Sequence, residues 1–158
     1  MRSGIGYDVH ALAVGGMLVL GGVEIEHDKG LVGHSDGDAL IHAIIDSILG
    51  AAGLGDIGIH FPSDAPLLEG ITSKILLMKA NEEVESAGYE TVFIDATIIA
   101  QNPRMAPYIP SMKKSLSRII GIDSGSINIK ATTTDGLGFV GREEGIACIA
   151  ISTLEELE

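Results

Sequence analysis

The chain is poor in cations. Ten Lys and Arg stand against twenty-two Asp and Glu, a formal net charge of −12 over 158 residues. A nucleic-acid duplex or an anionic membrane surface repels such a chain, so neither nucleic acid nor membrane is expected as a partner. Cysteine is almost absent. The single Cys148 has no partner for an intrachain bridge, which fits a reducing compartment. Its place in the apolar run Gly145–Ile151 reads as core rather than nucleophile. Long apolar runs are missing too: the greasiest stretch, Ala39–Leu54, is broken by His42, Asp46 and two glycines, so it reads as a buried helix and not a membrane span. The opening Met1-Arg2-Ser3-Gly4 lacks the apolar centre of a signal peptide. No repeat, low-complexity tract or linker interrupts the chain. One cytoplasmic domain over residues 1–158 is expected, long enough to bury roughly 70% of the surface its unfolded form exposes.

The patterns that are present suggest a strand near Arg2–His10, then a hairpin of Met17–Leu20 and Val23–Glu26 about Gly21-Gly22. Ser35, Asp36 and Asp38 are good helix starters, and Leu40, Ile41, Ile44, Ile45, Ile48 and Leu49 then recur at helical spacing as far as Gly53. The loop Gly55–Gly70 is long enough to suggest a functional role. A helix over Thr72–Ala87 closes on Gly88, Glu90–Ala100 is a strand, and Pro107 and Pro110 introduce a third helix that stops at Gly121. Strands near Ser126–Thr132 and Glu144–Thr153 follow. The order predicts an α+β fold, a two-layer α/β sandwich with a mixed sheet of four to five strands and three helices on one face. In Thr91–Ala100 both alternating sets are largely apolar, Val92, Ile94 and Ile98 against Phe93 and Ile99. Such a strand needs two covers, and another subunit is the expected second one.

Asp8 and His10, one residue apart in a strand, share a face, and His42 joins them if its helix packs on that strand. Two imidazoles and a carboxylate leave the fourth position of a zinc open, as catalytic sites do. Asp46, four residues after His42, is expected to take the free ring N–H. Read alone, D-x-H is common, and a satisfied core histidine is the better reading of His42. His34-Ser35 precede the helix, where free N–H groups attract anions, although on these residues alone a plain cap is the better reading. Ala131–Arg142 reads A-T-T-T-D-G-L-G-F-V-G-R. Its hydroxyls and glycines suit an anion, with Asp135 able to hold Mg²⁺ against phosphate oxygens. No G-K-[ST] follows, so this is not a P-loop, and a Gly-rich connection is the competing reading. Asp56-Ile57-Gly58, Phe61-Pro62 and Ala100–Met105 suit either ligand contacts or turns.

Taken in order, G-Y-D-V-H, G-H-S-D-G-D with His42 following, G-D-I-G with F-P, T-I-I-A-Q-N-P-R-M and K-A-T-T-T-D-G-L-G-F-x-G-R-x-E-G-I-A span essentially the whole chain. Together they resemble the 2-C-methyl-D-erythritol 2,4-cyclodiphosphate synthase family of the non-mevalonate isoprenoid pathway. The resemblance implies a homotrimer with sites between subunits that converts 4-diphosphocytidyl-2-C-methyl-D-erythritol 2-phosphate to the cyclodiphosphate and CMP, a phosphorus–oxygen lyase. It implies Asp8, His10 and His42 as ligands of zinc or a similar divalent metal, and His34 and Thr133 as transition-state stabilisers. It implies contacts to the methylerythritol phosphate from Asp8, His10, His34, Ser35, Asp56, Ile57, Gly58 and Phe61. Contacts to cytidine and its phosphates are implied for Ala100, Arg104, Met105, Ala106, Thr132, Thr133 and Thr134. Asp135 is implied as the holder of Mg²⁺ or Mn²⁺ with the substrate phosphates. Phe139 and Arg142 are implied to line a cavity near the trimer axis for an isoprenoid diphosphate. The chain departs from the family pattern at Asp135 (usually Glu), at Ser63-Asp64-Ala65 (usually D-[ST]-D), at Asn102 (usually Ala) and at Glu143 (usually Gly). A zinc-dependent phosphoester hydrolase and a non-catalytic trimeric nucleotide or isoprenoid-diphosphate binding protein are the alternatives.

Overall fold

The computed structural model describes residues 1–158. Strand β1 (Arg2–Val14) alternates cleanly: Gly4, Gly6, Asp8, His10 and Leu12 turn inward, while Ile5, Tyr7, Val9 and Ala11 turn out. It runs beyond the expected end to pair with β4 (Lys29–Val32), a strand too short and too lacking in alternation to be legible in sequence. The expected hairpin forms from β2 (Leu18–Leu20) and β3 (Val23–Ile25), but as a separate two-stranded sheet. With β5 (Tyr89–Ile99), β6 (Ile127–Thr132) and β7 (Gly145–Glu156) the main sheet has five strands in the order β4-β1-β7-β5-β6. Only β5 and β6 pair in parallel, so the sheet is mixed as expected. The long helices α1 (Ala39–Ala52), α3 (Ser73–Ser86) and α4 (Ile109–Ile120) pack on one face; α2 (Ile57–His60) and α5 (Gly138–Gly141) are single turns. No helix is long and apolar enough to cross a membrane.

Two glycines decide where α1 lies. A Cβ on Gly4 would sit 2.2 Å from the Ser47 carbonyl oxygen, and one on Gly6 only 1.8 Å from that of Ala43. The backbone of α1 therefore rests directly on the backbone of β1. All of α1 except Asp46 and Gly50 is buried, so the helix is the centre of the core rather than a surface layer. Its N-cap is Asp38, fully buried, which accepts from the backbone N–H groups of Ile41 (3.0 Å), Gly21 (3.0 Å) and Gly22 (2.8 Å). One carboxylate thus starts the helix and ties down the hairpin tip. Burial pushes its carboxyl up to about 6 against those three bonds. His34-Ser35 lie ahead of the cap in a bend, and the helix end is occupied by the chain's own carboxylate.

In β5 the register slips between Thr91 and Phe93 opposite β7, leaving Val92 as an extra, half-buried residue. The expected grouping of Val92 with Ile94 and Ile98 fails for that reason: a bulge shifts the phase of the alternation. Thr91, Ile94, Ala96 and Ile98 face the helices, and Phe93, Thr97 and Ile99 face away. The outer face is uncovered in the single chain, with Ile5 68%, Tyr7 55%, Ile151 47% and Phe93 43% exposed. Toward β6 this face turns polar, where Asp95 accepts from Asn128 (2.8 Å) and Lys130 (2.6 Å). Cys148 lies in the core, and burial raises its thiol well above the ordinary range, so it is a packing residue.

Candidate active site

His10, inside β1, lies level with the C-terminal ends of β5 and β6, since His10 pairs with Ile146, Ala147 with Ile99, and Ile99 with Thr132. There the approach of α1 brings His42 onto Asp8 and His10. Asp8 Oδ2 lies 2.8 Å from His10 Nε2 and 3.2 Å from His42 Nδ1, and the two ring nitrogens are 3.1 Å apart. Metal–ligand bonds of about 2.0–2.1 Å in a tetrahedron require ligand atoms about 3.3 Å apart, so these three atoms form one face of such a site. The group is able to hold a divalent metal. His10 donates its Nδ1–H to the Val32 carbonyl at 2.7 Å, which leaves Nε2 with a lone pair on the side of the triad. Burial works to raise the Asp8 carboxyl, but hydrogen bonds and charge from His10 and His42 outweigh it and hold the group below the usual range. The same Asp8 bond raises His10 above its ordinary value, against burial.

The expected partner of His42 is corrected. Asp46 does not reach the ring; its Oδ1 accepts from the Ile57 N–H at 2.7 Å. Asp46 is drawn off by the free N–H at the start of α2, and the His42 ring turns instead to the start of α3. Its Nε2 lies 2.8 Å from Ser73 Oγ and 3.0 Å from Ser35 Oγ. Asp46 instead anchors α2, whose own cap is Asp56, accepting from Ile59 N–H at 3.0 Å. Burial raises the Asp46 carboxyl. Ser73 and its partner Asp36 are site residues the sequence did not reveal, because 36 and 73 meet only when α3 docks beside α1.

A cleft of about 520 Å³ opens over the triad, with His34, Ser35, Ile57, Gly58, Phe61 and Asp64 along its walls and Leu68, Ile71 and Leu76 giving it an apolar side. Asp56 is exposed and caps α2 rather than lining the space. A second cleft, about 380 Å³, lies at the ends of β5 and β6 between Ala100, Arg104, Met105 and Ala106 on one wall and Thr132 and Thr133 on the other. Gly136 N–H donates to Gln101 Oε1 at 3.1 Å and joins the two walls. Thr134 turns its hydroxyl to the Leu137 carbonyl at 2.7 Å. Asp135 is exposed in the left-handed region at φ +53°, its N–H on Thr133 Oγ1 at 3.2 Å. Phe139 is in α5, and Arg142 just after it is exposed and paired with Glu144 at 3.1 Å. Glu143 has φ +58°, a conformation that glycine takes freely. The two clefts share no lining residue. Folding thus gathers Asp8, His10, His34, Ser35, His42, Ile57, Gly58 and Phe61 at one cleft and Ala100, Arg104, Met105, Ala106, Thr132 and Thr133 at the other, while Asp56, Thr134, Asp135, Phe139 and Arg142 line neither.

The sequence model of the YgbB family matches residues 1–155. The chain belongs to the YgbB family. A 2-C-methyl-D-erythritol 2,4-cyclodiphosphate synthase of Clostridium acetobutylicum is 58% identical over 98% of this chain and 99% of its own length. One of Desulforamulus reducens is 53% identical over 99% of each. Among solved structures, the bifunctional IspDF of Campylobacter jejuni superposes with a TM-score of 0.96 at 39% identity; it covers 99% of this chain, which spans 42% of that longer protein. A 2C-methyl-D-erythritol-2,4-cyclodiphosphate synthase bound to CDP superposes at 0.90 with 33% identity, covering 98% of this chain and 100% of its own. The superpositions extend over the five-stranded mixed sheet and its helices.

Proposed function

We propose that this protein cyclises 4-diphosphocytidyl-2-C-methyl-D-erythritol 2-phosphate to 2-C-methyl-D-erythritol 2,4-cyclodiphosphate with release of CMP, acting as a phosphorus–oxygen lyase in the cytosol. An oxygen of the 2-phosphate bonds to the β-phosphorus while the bond from that phosphorus to the CMP oxygen breaks. The observation that carries the reading is the convergence of Asp8 Oδ2, His10 Nε2 and His42 Nδ1 on one point beside a cleft with an apolar side. We read the whole chain, 1–158, as one synthase domain, with Asp8, His10 and His42 holding zinc and Asp135 holding Mg²⁺ or Mn²⁺. These ions, when bound, offset the charge of the phosphates and of the departing CMP.

The chain's own residues position the two anionic ends. The cleft beside the triad suits the branched sugar phosphate: Ile57 and Phe61 offer apolar contact to its methyl, Ser35 and the backbone at Asp56–Gly58 offer polar contact, and His34 reaches the phosphoryl group in the transition state. The cleft at Ala100–Ala106 suits cytidine, with Arg104 and Thr132–Thr134 on its phosphates and Thr133 beside the reacting phosphorus. Orientation of this kind supplies roughly 7–11 kcal/mol in a well-placed intramolecular reaction, and no dedicated base is required for an already ionised phosphate. The separation of the clefts within one chain supports a homotrimer in which each site joins one cleft from each of two neighbours. The uncovered Ile5, Tyr7, Phe93 and Ile151 supply a surface for that assembly. Phe139 and Arg142 then fall near the axis, where an isoprenoid diphosphate would bind. The test is incubation with the substrate and Mg²⁺ in ¹⁸O-water. CMP and unlabelled cyclodiphosphate are expected; label in the product, with free phosphate, would make the protein a hydrolase instead.

A further inference from the structure

His42 turns Nδ1, not Nε2, toward Asp8 and His10, and an imidazole ligates a metal through Nδ1 only if its proton sits on Nε2. We propose that Ser73, held by Asp36, is a positioning residue that fixes His42 in the Nε2–H form and keeps the Nδ1 lone pair aimed at the metal; this rests on reading the triad as metal ligands.

The direction of the hydrogen bonds carries the inference. Asp36 Oδ2 accepts the backbone N–H of Ser73 at 3.0 Å, and Oδ1 accepts the Ser73 hydroxyl. With the Ser73 hydroxyl donating to Asp36 Oδ1, its single proton is committed there. Ser73 Oγ therefore faces His42 Nε2 at 2.8 Å as an acceptor, and that nitrogen must donate. Ser35 Oγ stands 3.0 Å from Nε2 and 3.2 Å from Ser73 Oγ. If it gives its proton to Ser73 or accepts a share of the ring proton, the same tautomer results; giving its proton to Nε2 instead would leave the acceptor Ser73 Oγ facing a nitrogen lone pair at 2.8 Å. The opposite tautomer would place an N–H where the three ligand atoms converge and set the Nε2 lone pair against the lone pairs of Ser73. Water is a poor substitute here, since Ser73 is fully buried and His42 is 8% exposed. The network also links two helices: Ser73 opens α3, Thr72 supplies no side-chain cap, and Asp36 caps that terminus from the loop before α1.

Ser73→Ala isolates the effect, because it deletes Oγ and keeps the backbone bond to Asp36. Zinc affinity is measured by chelator competition, and the His42 Nε2–H resonance is followed by ¹H–¹⁵N NMR in the zinc-loaded protein. The wild type is expected to show that resonance protected from solvent exchange. Ser73→Ala is expected to lose the protection and to bind zinc 10–100-fold more weakly, the range for partners that orient a metal-bound histidine, while the melting temperature of the metal-free protein stays close to wild type. If either the resonance or the zinc affinity is unchanged in Ser73→Ala, the proposal is overturned. A wild-type protein that binds no zinc fails at the first measurement, and there it is the metal reading that is lost.

Discussion

Replacing Gly6 by Ala should dismantle the metal site without touching a ligand. The added Cβ would lie 1.8 Å from the Ala43 oxygen, 2.8 Å from the Ala43 carbonyl carbon and 2.9 Å from Ser47 N. An ordinary contact is about 3.4–4 Å, so strand and helix must part by about 1.6 Å at this point. His42 is the residue before Ala43 and travels with it. Its Nδ1, now 3.2 Å from Asp8 Oδ2 and 3.1 Å from His10 Nε2, would move beyond the edge of about 3.3 Å that a shared metal requires. The helix cannot lift freely, because Ile44, Ile45, Ile48 and Leu49 are fully buried on its other sides. Overpacking costs about 1–3 kcal/mol, and a backbone clash belongs at the upper end. At roughly 2–4 °C per kcal/mol for a chain of this size, the melting temperature should drop by roughly 6–12 °C. Zinc affinity, measured by chelator competition, should fall by more than about 100-fold as the site loses one of its ligands. Gly50→Ala is the control in the same helix: Gly50 is exposed and its Cβ would meet nothing closer than Ile5 O at 3.9 Å. It should gain about 0.5–1 kcal/mol and leave zinc binding alone. A Gly6→Ala protein with wild-type melting and wild-type zinc affinity would refute the argument that helix–strand spacing builds the site.

Three further outcomes are expected. The folded Asp38 carboxyl, at about 6, holds its proton more tightly than at the ordinary 3.8, so the stability from this group is full below about pH 4 and is lost as pH rises toward 6. Asp38→Asn cannot ionise and turns an amide N–H₂ on a backbone donor. Urea unfolding should show wild type ahead by most at pH 4, with the gap narrowing by up to about 3 kcal/mol at pH 7, and a constant gap would contradict the assignment. Asp135→Asn should need much more Mg²⁺ and turn over slowly, whereas Asp135→Glu should remain active; equal Mg²⁺ dependence of Asn and wild type would remove Asp135 from the second metal. His42→Ala and Asp135→Ala, each inactive, should recover roughly a quarter of wild-type activity when unfolded together and reassembled at equal amounts. Verified mixed trimers without activity would place both halves of the site in one chain.

The elements that carry long periodic patterns were legible: the apolar spacing of Leu40 to Leu49, the Gly88 and Gly121 stops, and strands β1, β5, β6 and β7. The four residues of β4 were not, because a short strand is defined by its partner and not by its own alternation. Val92 was misplaced since a bulge depends on the neighbouring strand's register. Asp46 was set beside His42 by spacing on a helix, which fixes the face of a side chain but not the direction in which it reaches.

By itself the sequence determined the ligand types and their local order, Asp8 and His10 on one strand face and His42 on a helix, because period and chemistry are local properties. The tertiary structure decided what those residues became. Gly4 and Gly6 let α1 settle on β1 and close the triad, a consequence of backbone contact between segments some forty residues apart. The docking of α3 against α1 placed Ser73 and Asp36 behind His42, and the sheet order set the two clefts apart, since long-range contacts exist only once the chain has folded.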